Sequence, residues 1–123
     1  MKKRNVLVVE DDYINSLILM KILEEQFNCA LSVNGKEVLE KIEKDKFDVI
    51  LMDINLGADS MDGEALMKII KADGRFKEIK IFAVTSYAMH GDKERFLKAG
   101  FDQYHPKPIK REEIINAIKD ALN

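Results

Sequence analysis

Val49-Ile50-Leu51-Met52-Asp53 is the stretch that decides the fold. Four apolar residues run without polar interruption straight into an acid. Polar alternation marks a strand with one wet face. A continuous apolar run of this length marks a strand covered on both faces, as in a parallel sheet between two layers of helices. The acid that ends the run has no packing purpose. That makes Asp53 the first candidate for chemistry.

Working outward, the same signature recurs at Val6-Leu7-Val8-Val9 and Ile81-Phe82-Ala83-Val84. Ala30-Leu31-Ser32-Val33 is a further strand candidate, and a weak one lies near Gln103-Tyr104. Five helical patterns separate and follow them. The first spans about Tyr13 to Gln26 and the second about Gly35 to Lys44, with Val38, Leu39 and Ile42 on one face. The third covers about Asp62 to Ala72 and carries Leu66, Ile69 and Ile70. The fourth runs from Asp92 to Ala99, carries Phe96 and stops at Gly100, a residue suited to a helix C-terminus. The fifth runs from Arg111 to Leu122, with Ile114, Ile118 and Leu122 four apart and Glu112 and Glu113 in its first turn.

Strict strand-helix alternation predicts an α/β fold: a five-stranded parallel sheet with right-handed crossovers and helices on both sides. The usual open order for five strands is 2-1-3-4-5, with ligands bound at the carboxyl ends of neighbouring strands 1 and 3.

Composition sets the outer limits. The 123 residues suit one domain spanning 1–123, and 46% apolar content argues against disorder. A formal charge of −2, with Lys and Arg spread along the chain, gives no pull toward nucleic acid or an anionic membrane. No apolar run approaches membrane-spanning length, and no signal-peptide segment follows the basic Met1-Lys2-Lys3-Arg4. The single cysteine, Cys29, lies in a strand candidate and reads as a small buried residue. These features predict a cytoplasmic protein without direct nucleic-acid contact or membrane insertion.

Strand 1 ends in Glu10-Asp11-Asp12 and strand 3 in Asp53, so the predicted order brings these acids together. At about 4 Å, two like charges repel by roughly 4 kcal/mol at a surface-like dielectric. Such a group is tolerable when a carboxyl is protonated or a cation sits among them. Hard oxygen donors suit Mg²⁺ or Mn²⁺. Asp12 reads instead as the cap of the first helix. Thr85-Ser86 ends strand 4 and Lys107-Pro108 follows strand 5, both on the same edge. A hydroxyl and an ammonium facing a carboxylate make a phosphoryl-binding set.

With those motifs assembled, the chain resembles a response-regulator receiver domain of two-component signalling, of the chemotaxis-regulator type. The likeness rests on Val8-Val9-Glu10-Asp11-Asp12, Ile50-Leu51-Met52-Asp53-Ile54-Asn55, Met61-Asp62-Gly63, Ala83-Val84-Thr85-Ser86, Lys98-Ala99-Gly100 and Lys107-Pro108, in order along nearly the whole chain. It implies a flavodoxin-like (βα)5 three-layer sandwich. It also implies that Asp53 accepts a phosphoryl group from the phosphohistidine of a histidine kinase or histidine phosphotransfer protein. On the same resemblance, Asp11 and Asp53 ligate Mg²⁺, Glu10 does so through water, and the Asn55 backbone carbonyl is a further ligand. Lys107 neutralises phosphoryl charge, Thr85 moves toward the phosphoryl group, and the Tyr104 ring rotates with it. The Lys107-Pro108 bond is cis in the family. The first helix and Pro108 face the phosphodonor partner, and Ile14, Leu17 and Met20 form a stripe suited to docking, with Asn15, Ile18, Leu19, Ile22 and Leu23 turned inward. The surface of helix 4, strand 5 and helix 5 is the family's place for a phosphorylation-dependent homodimer or effector contact. The resemblance names neither the output nor whether the chain stands alone or comes from a hybrid kinase.

The chain departs from the pattern in the segment from Asn55 to Asp62. Gly57 replaces a common proline, and the loop is about two residues longer than usual, which is the length of a tolerated surface insertion. Tyr87, two residues past Thr85, is bulky enough to shield an aspartyl phosphate from water. His90 and His105 lack partners for a metal site and read as surface residues.

Three other classes compete with this reading. A haloacid-dehalogenase-type phosphatase needs a second aspartate where Asn55 stands. A flavodoxin-like electron carrier needs a hydroxyl-rich loop after strand 1, where this chain has three acids. A pseudo-receiver acting only as an interaction module would be expected to lack one of Asp11, Asp53, Thr85 or Lys107, and all four are present. The reading is thus a non-enzyme that catalyses only its own phosphorylation and dephosphorylation.

Overall fold

A computed structural model describes residues 3–54, 62–86 and 90–123. Along the chain the elements are β1 (Arg4–Val9), α1 (Tyr13–Leu23), β2 (Phe27–Ser32), α2 (Gly35–Lys44), β3 (Val49–Asp53), α3 (Gly63–Ala72), a 3-10 turn (Gly74–Phe76), β4 (Lys80–Thr85), α4 (Asp92–Ala99), β5 (Gln103–Pro106) and α5 (Arg111–Leu122). All strand pairs are parallel, and the order is β2-β1-β3-β4-β5, as the alternation predicts.

Successive residues of each strand feed opposite layers. Leu7, Val9, Ile50 and Met52 pack with Val38 and Ile42 of α2, Leu66, Met67 and Ile70 of α3, and Phe96 of α4. Val6, Val8, Val49 and Leu51 pack with Leu19 and Leu23 of α1 and Ile114, Ile115 and Ile118 of α5. This two-sided burial is why β3 shows no polar alternation: each of its residues is buried.

Helix starts are set by side chains that take up otherwise unpaired N–H groups. Asp12 Oδ1 accepts the Asn15 N–H at 2.8 Å, and Asn34 Oδ1 accepts that of Glu37 at 2.9 Å. Asp62 Oδ1 accepts the Ala65 N–H at 2.8 Å. At the other end of α4, Gly100 adopts φ 129°, a backbone conformation that L side chains rarely adopt.

Several local expectations need correction. Helix α1 ends at Leu23 rather than near Gln26, and β2 starts at Phe27, three residues ahead of Ala30, and ends at Ser32 rather than Val33. The cause is Phe27: its ring is buried in the layer under α1 and α5, so the chain must already be in the sheet there. The inward arc of α1 is Ser16, Leu19 and Leu23, flanked by half-buried Met20 and Ile22. Ile18, expected inside, is 55% exposed, whereas Met20, expected outside, is half-buried. In α3, Met67 takes the buried place and Ile69 faces solvent. His105 is half-buried, with its ring 5.4 Å from that of Phe82; His90 is exposed as expected.

Candidate functional site

The carboxyl ends of β1 and β3 lie side by side, with Val9 opposite Met52. The residues that follow those positions are Glu10 and Asp53, both buried, and Asp11, which is exposed. Carboxylate oxygens of Glu10, Asp11 and Asp53 lie within 4.8 Å of one another. On the other side of β3, Asp53 pairs in register with Val84, which places buried Thr85 one step beyond it. Thr85 is in turn opposite Pro106, and its carbonyl accepts the Lys107 N–H at 2.8 Å. The Lys107-Pro108 bond is cis. The expected set of Glu10, Asp11, Asp53, Thr85 and Lys107 therefore converges at one edge.

Lys107 does not treat the acids equally. Its Nζ donates to Glu10 Oε2 at 2.6 Å and lies 3.5 Å from Asp53 Oδ2. Glu10 Oε1 accepts the Asp12 N–H at 3.2 Å, so both oxygens of Glu10 are held. The Glu10-Lys107 pairing was not foreseen from the sequence. Nothing in a spacing of 97 residues could announce it. The electrostatics follow from burial and crowding. Glu10 is raised above its ordinary value, chiefly by burial, with the charge of Asp53 adding to it and Lys107 opposing it. For Lys107, burial disfavours the ammonium, but the bond to Glu10 and the charges of Asp53 and Glu10 outweigh it, and its pKa is raised.

Three carboxyl groups face a single ammonium, so the site has an excess of acidic oxygens. A divalent cation would offset that excess, and the donors are all hard oxygens. The residues present thus fit a Mg²⁺-type ion. Two sequence expectations, the Asn55 carbonyl as a ligand and Tyr87 as a shield, lie outside the described residues, as does the long segment 55–61.

A family model described as the response regulator receiver domain matches residues 6–119. The chain belongs to this receiver family. The receiver is 33% identical over 120 residues to the polar-differentiation response regulator DivK of Brucella anthropi, covering 97% of this chain and 96% of that one. Its fold is similar to the receiver domain of sensor histidine kinase PA1611 from Pseudomonas aeruginosa, with TM-score 0.86, 29% identity and 98% of each chain covered. That neighbour holds a magnesium ion in its active-site cleft. A CheY-like receiver protein from Methanospirillum hungatei gives TM-score 0.83 at 31% identity, covering 98% of this chain and 94% of that one. The protein is therefore a receiver domain of two-component signalling, a signalling module. Among the described residues, no helix is long and apolar enough to cross a membrane.

The switch candidate Tyr104 sits in β5 opposite Ala83 of β4, on the side of the sheet covered by α3 and α4. It is half-buried, and its ring stacks on Phe96 of α4, with centroids 5.9 Å apart and planes 13° from parallel. Ile14 and Leu17 are 61% and 48% exposed on α1, and Pro108 is also exposed. A cavity of about 310 Å³ between α1 and the β5–α5 connection is lined by Ile18, Ile22, Lys107, Pro108 and Ile109 among others.

Proposed function

We propose that Asp53 is the phosphoacceptor and that its donor is a phosphohistidine on a histidine kinase or phosphotransfer protein. The observation that carries this reading is the convergence of three carboxylate side chains, two of them buried, with Lys107 lying against two of them. One Asp53 oxygen bonds to phosphorus as the P–N bond breaks, and the electron pair stays on the imidazole nitrogen. Such transfer asks a protein mainly for positioning and charge neutralisation. Asp11 and Asp53 would hold Mg²⁺, or Mn²⁺ in its place, with Glu10 acting through water. When bound, the ion offsets charge on the phosphoryl oxygens. Lys107 supplies a second positive charge, the Thr85 hydroxyl donates to the phosphoryl group, and Tyr104 follows Thr85. The Lys107-Glu10 bond holds the ammonium beside the acceptor until that charge is needed.

The docking face is built from Ile14, Leu17 and Pro108. Their exposure beside the site, next to the apolar cavity under Ile18 and Ile109, supports that role. Membership of the receiver family supports a histidine kinase or phosphotransfer protein as the partner.

The test is to incubate the protein with acetyl phosphate and Mg²⁺ and weigh it. The expected result is a gain of one phosphoryl group that is absent in Asp53→Asn and absent after chelation of the metal. An unchanged mass with every phosphodonor would refute the phosphoacceptor role and leave a pseudo-receiver. Steady phosphate release from unrelated phosphomonoesters would instead mark a phosphatase.

A further inference from the structure

Helix α4 reads Asp92-Lys93-Glu94-Arg95-Phe96-Leu97-Lys98-Ala99, and Phe96 is its one buried residue. The grip of α4 on the sheet therefore depends heavily on that ring. Phe96 meets Phe101 edge-on, with centroids 5.9 Å apart and planes at 82°, and lies parallel to Tyr104. Both arrangements are favoured by the ring quadrupoles. The neighbouring Arg95 carries its guanidinium carbon 4.0 Å from the centroid of Phe96, a cation–π contact.

Arg95 also reaches another element. Its Nη1 donates to Glu64 Oε1 at 3.2 Å, in the first turn of α3. The second Glu64 oxygen takes Lys68 Nζ at 3.3 Å. That first turn is bonded to the backbone just after Asp53: the Gly63 N–H donates to the Ile54 carbonyl at 3.3 Å, and Asp62 caps the helix. A continuous set of contacts therefore runs from the backbone just after Asp53 through Glu64, Arg95 and Phe96 to Tyr104.

We propose that Arg95 is a positioning residue: its ion pair with Glu64 and its place over Phe96 hold the ring on which Tyr104 stacks, so the tie between α3 and α4 sets the resting orientation of Tyr104. The inference rests on the proposed role of Tyr104 as the ring that moves with phosphorylation. The Arg95-Glu64 pair is largely solvated, with side-chain exposures of 60% and 27%, and such pairs are individually weak. Weakness suits the task. A strong tie would lock the receiver, whereas one that biases an equilibrium by about two- to fivefold leaves a phosphoryl group able to override it. A receiver whose Tyr104 already favours the orientation of the phosphorylated protein leaves the phosphoryl group less to shift, so loosening the tie should make phosphorylation easier as well as freeing the ring.

The experiment is ¹⁹F NMR on protein carrying 3-fluorotyrosine, with the Tyr104 line assigned by its loss in Tyr104→Phe. Wild type, Arg95→Gln, Glu64→Gln and the double variant are compared at rest, then with acetyl phosphate and Mg²⁺. Glu64→Gln is the telling variant, because Glu64 meets Arg95 and Lys68 rather than Tyr104. Both single variants should move the resting Tyr104 line in the same direction, toward its position in the phosphorylated protein. The double variant should move it no further than the larger single change. Half-conversion should need about twofold less acetyl phosphate in each variant. Arg95→Lys, which keeps the charge but not the planar group over Phe96, should recover part of the shift. A purely structural role would lower thermal stability without moving the line. An unmoved Tyr104 line in both single variants, or shifts that simply add in the double, would overturn the proposal. If wild type gains no phosphoryl group, the phosphoacceptor reading fails, and the resting spectra still decide whether the tie holds Tyr104.

Discussion

His105 shows how burial selects a protonation state. Burial is the main reason its pKa is held below the ordinary value of 6.5; Glu113 pulls it up and Lys93 pushes it down. The ring nitrogen Nε2 lies 2.8 Å from Gln103 Oε1. The folded state thus prefers neutral imidazole, and the unfolded chain binds a proton more readily. The stability this contributes is fully present above the unfolded value and is lost as pH falls from about 6.5 toward the lower folded value. Denaturant midpoints of wild type should fall more between about pH 7.5 and about pH 5.5 than those of His105→Gln. Parallel midpoints for the two proteins would show that the ring titrates freely in the fold. The sequence could not place this residue, because a lone histidine in a short strand carries no signal of which face it takes. The same limit hid the choice of Lys107 between Glu10 and Asp53, which depends on side chains brought together from β1, β3 and the β5–α5 connection. Cys29 was legible as a strand residue, and burial, with the charge of Glu24 adding, pushes its thiol up to about 11. It stays a thiol at neutral pH and is a poor nucleophile.

Helix α1 was legible in its start and illegible in its rotation. Asp12 caps it as the sequence suggests, and Asp12→Ala should cost about 1 kcal/mol of stability in equilibrium unfolding. Phosphoryl uptake should persist in that variant, since its carboxylate is not among the three that converge. A loss of uptake without a loss of stability would place Asp12 in the chemistry instead. The rotation failed for a physical reason. Apolar residues occur on every side of α1, so the pattern has no phase to read; Tyr13, Ile14, Leu17 and Ile18 all remain exposed. Helix α2 presents the opposite case. Charged residues separate Val38 from Ile42, and both are buried as expected. The early start of β2 likewise depends on a tertiary fact, the burial of Phe27, which outweighs the local pattern.

At the scale of the molecule, the parallel sheet and its order followed from five apolar runs alternating with helices. That pattern is strong because burial on both faces leaves strands no freedom to be polar. The division of strand residues between two layers makes each layer a separate place to test. Leu66 has no exposed surface in the layer of α2, α3 and α4. Leu66→Ala should lower unfolding free energy by about 2–5 kcal/mol, with the denaturant slope unchanged. Ile69→Ala, three residues on and 46% exposed, should change it by less than about 0.5 kcal/mol. Equal losses would mean that the two positions share an environment in solution.

Gly63 carries a consequence for how this receiver can vary. A Cβ there would lie 2.8 Å from the Asp53 carbonyl oxygen and 3.0 Å from the Ile54 Cα, so a side chain would wedge the helix away from the strand. With hydrogen to spare, the backbone closes instead, and the Gly63 N–H meets the Ile54 carbonyl. The end of β3 and the start of α3 are therefore clasped backbone to backbone, and a side chain at position 63 would prise the helix from the strand that seats Asp53.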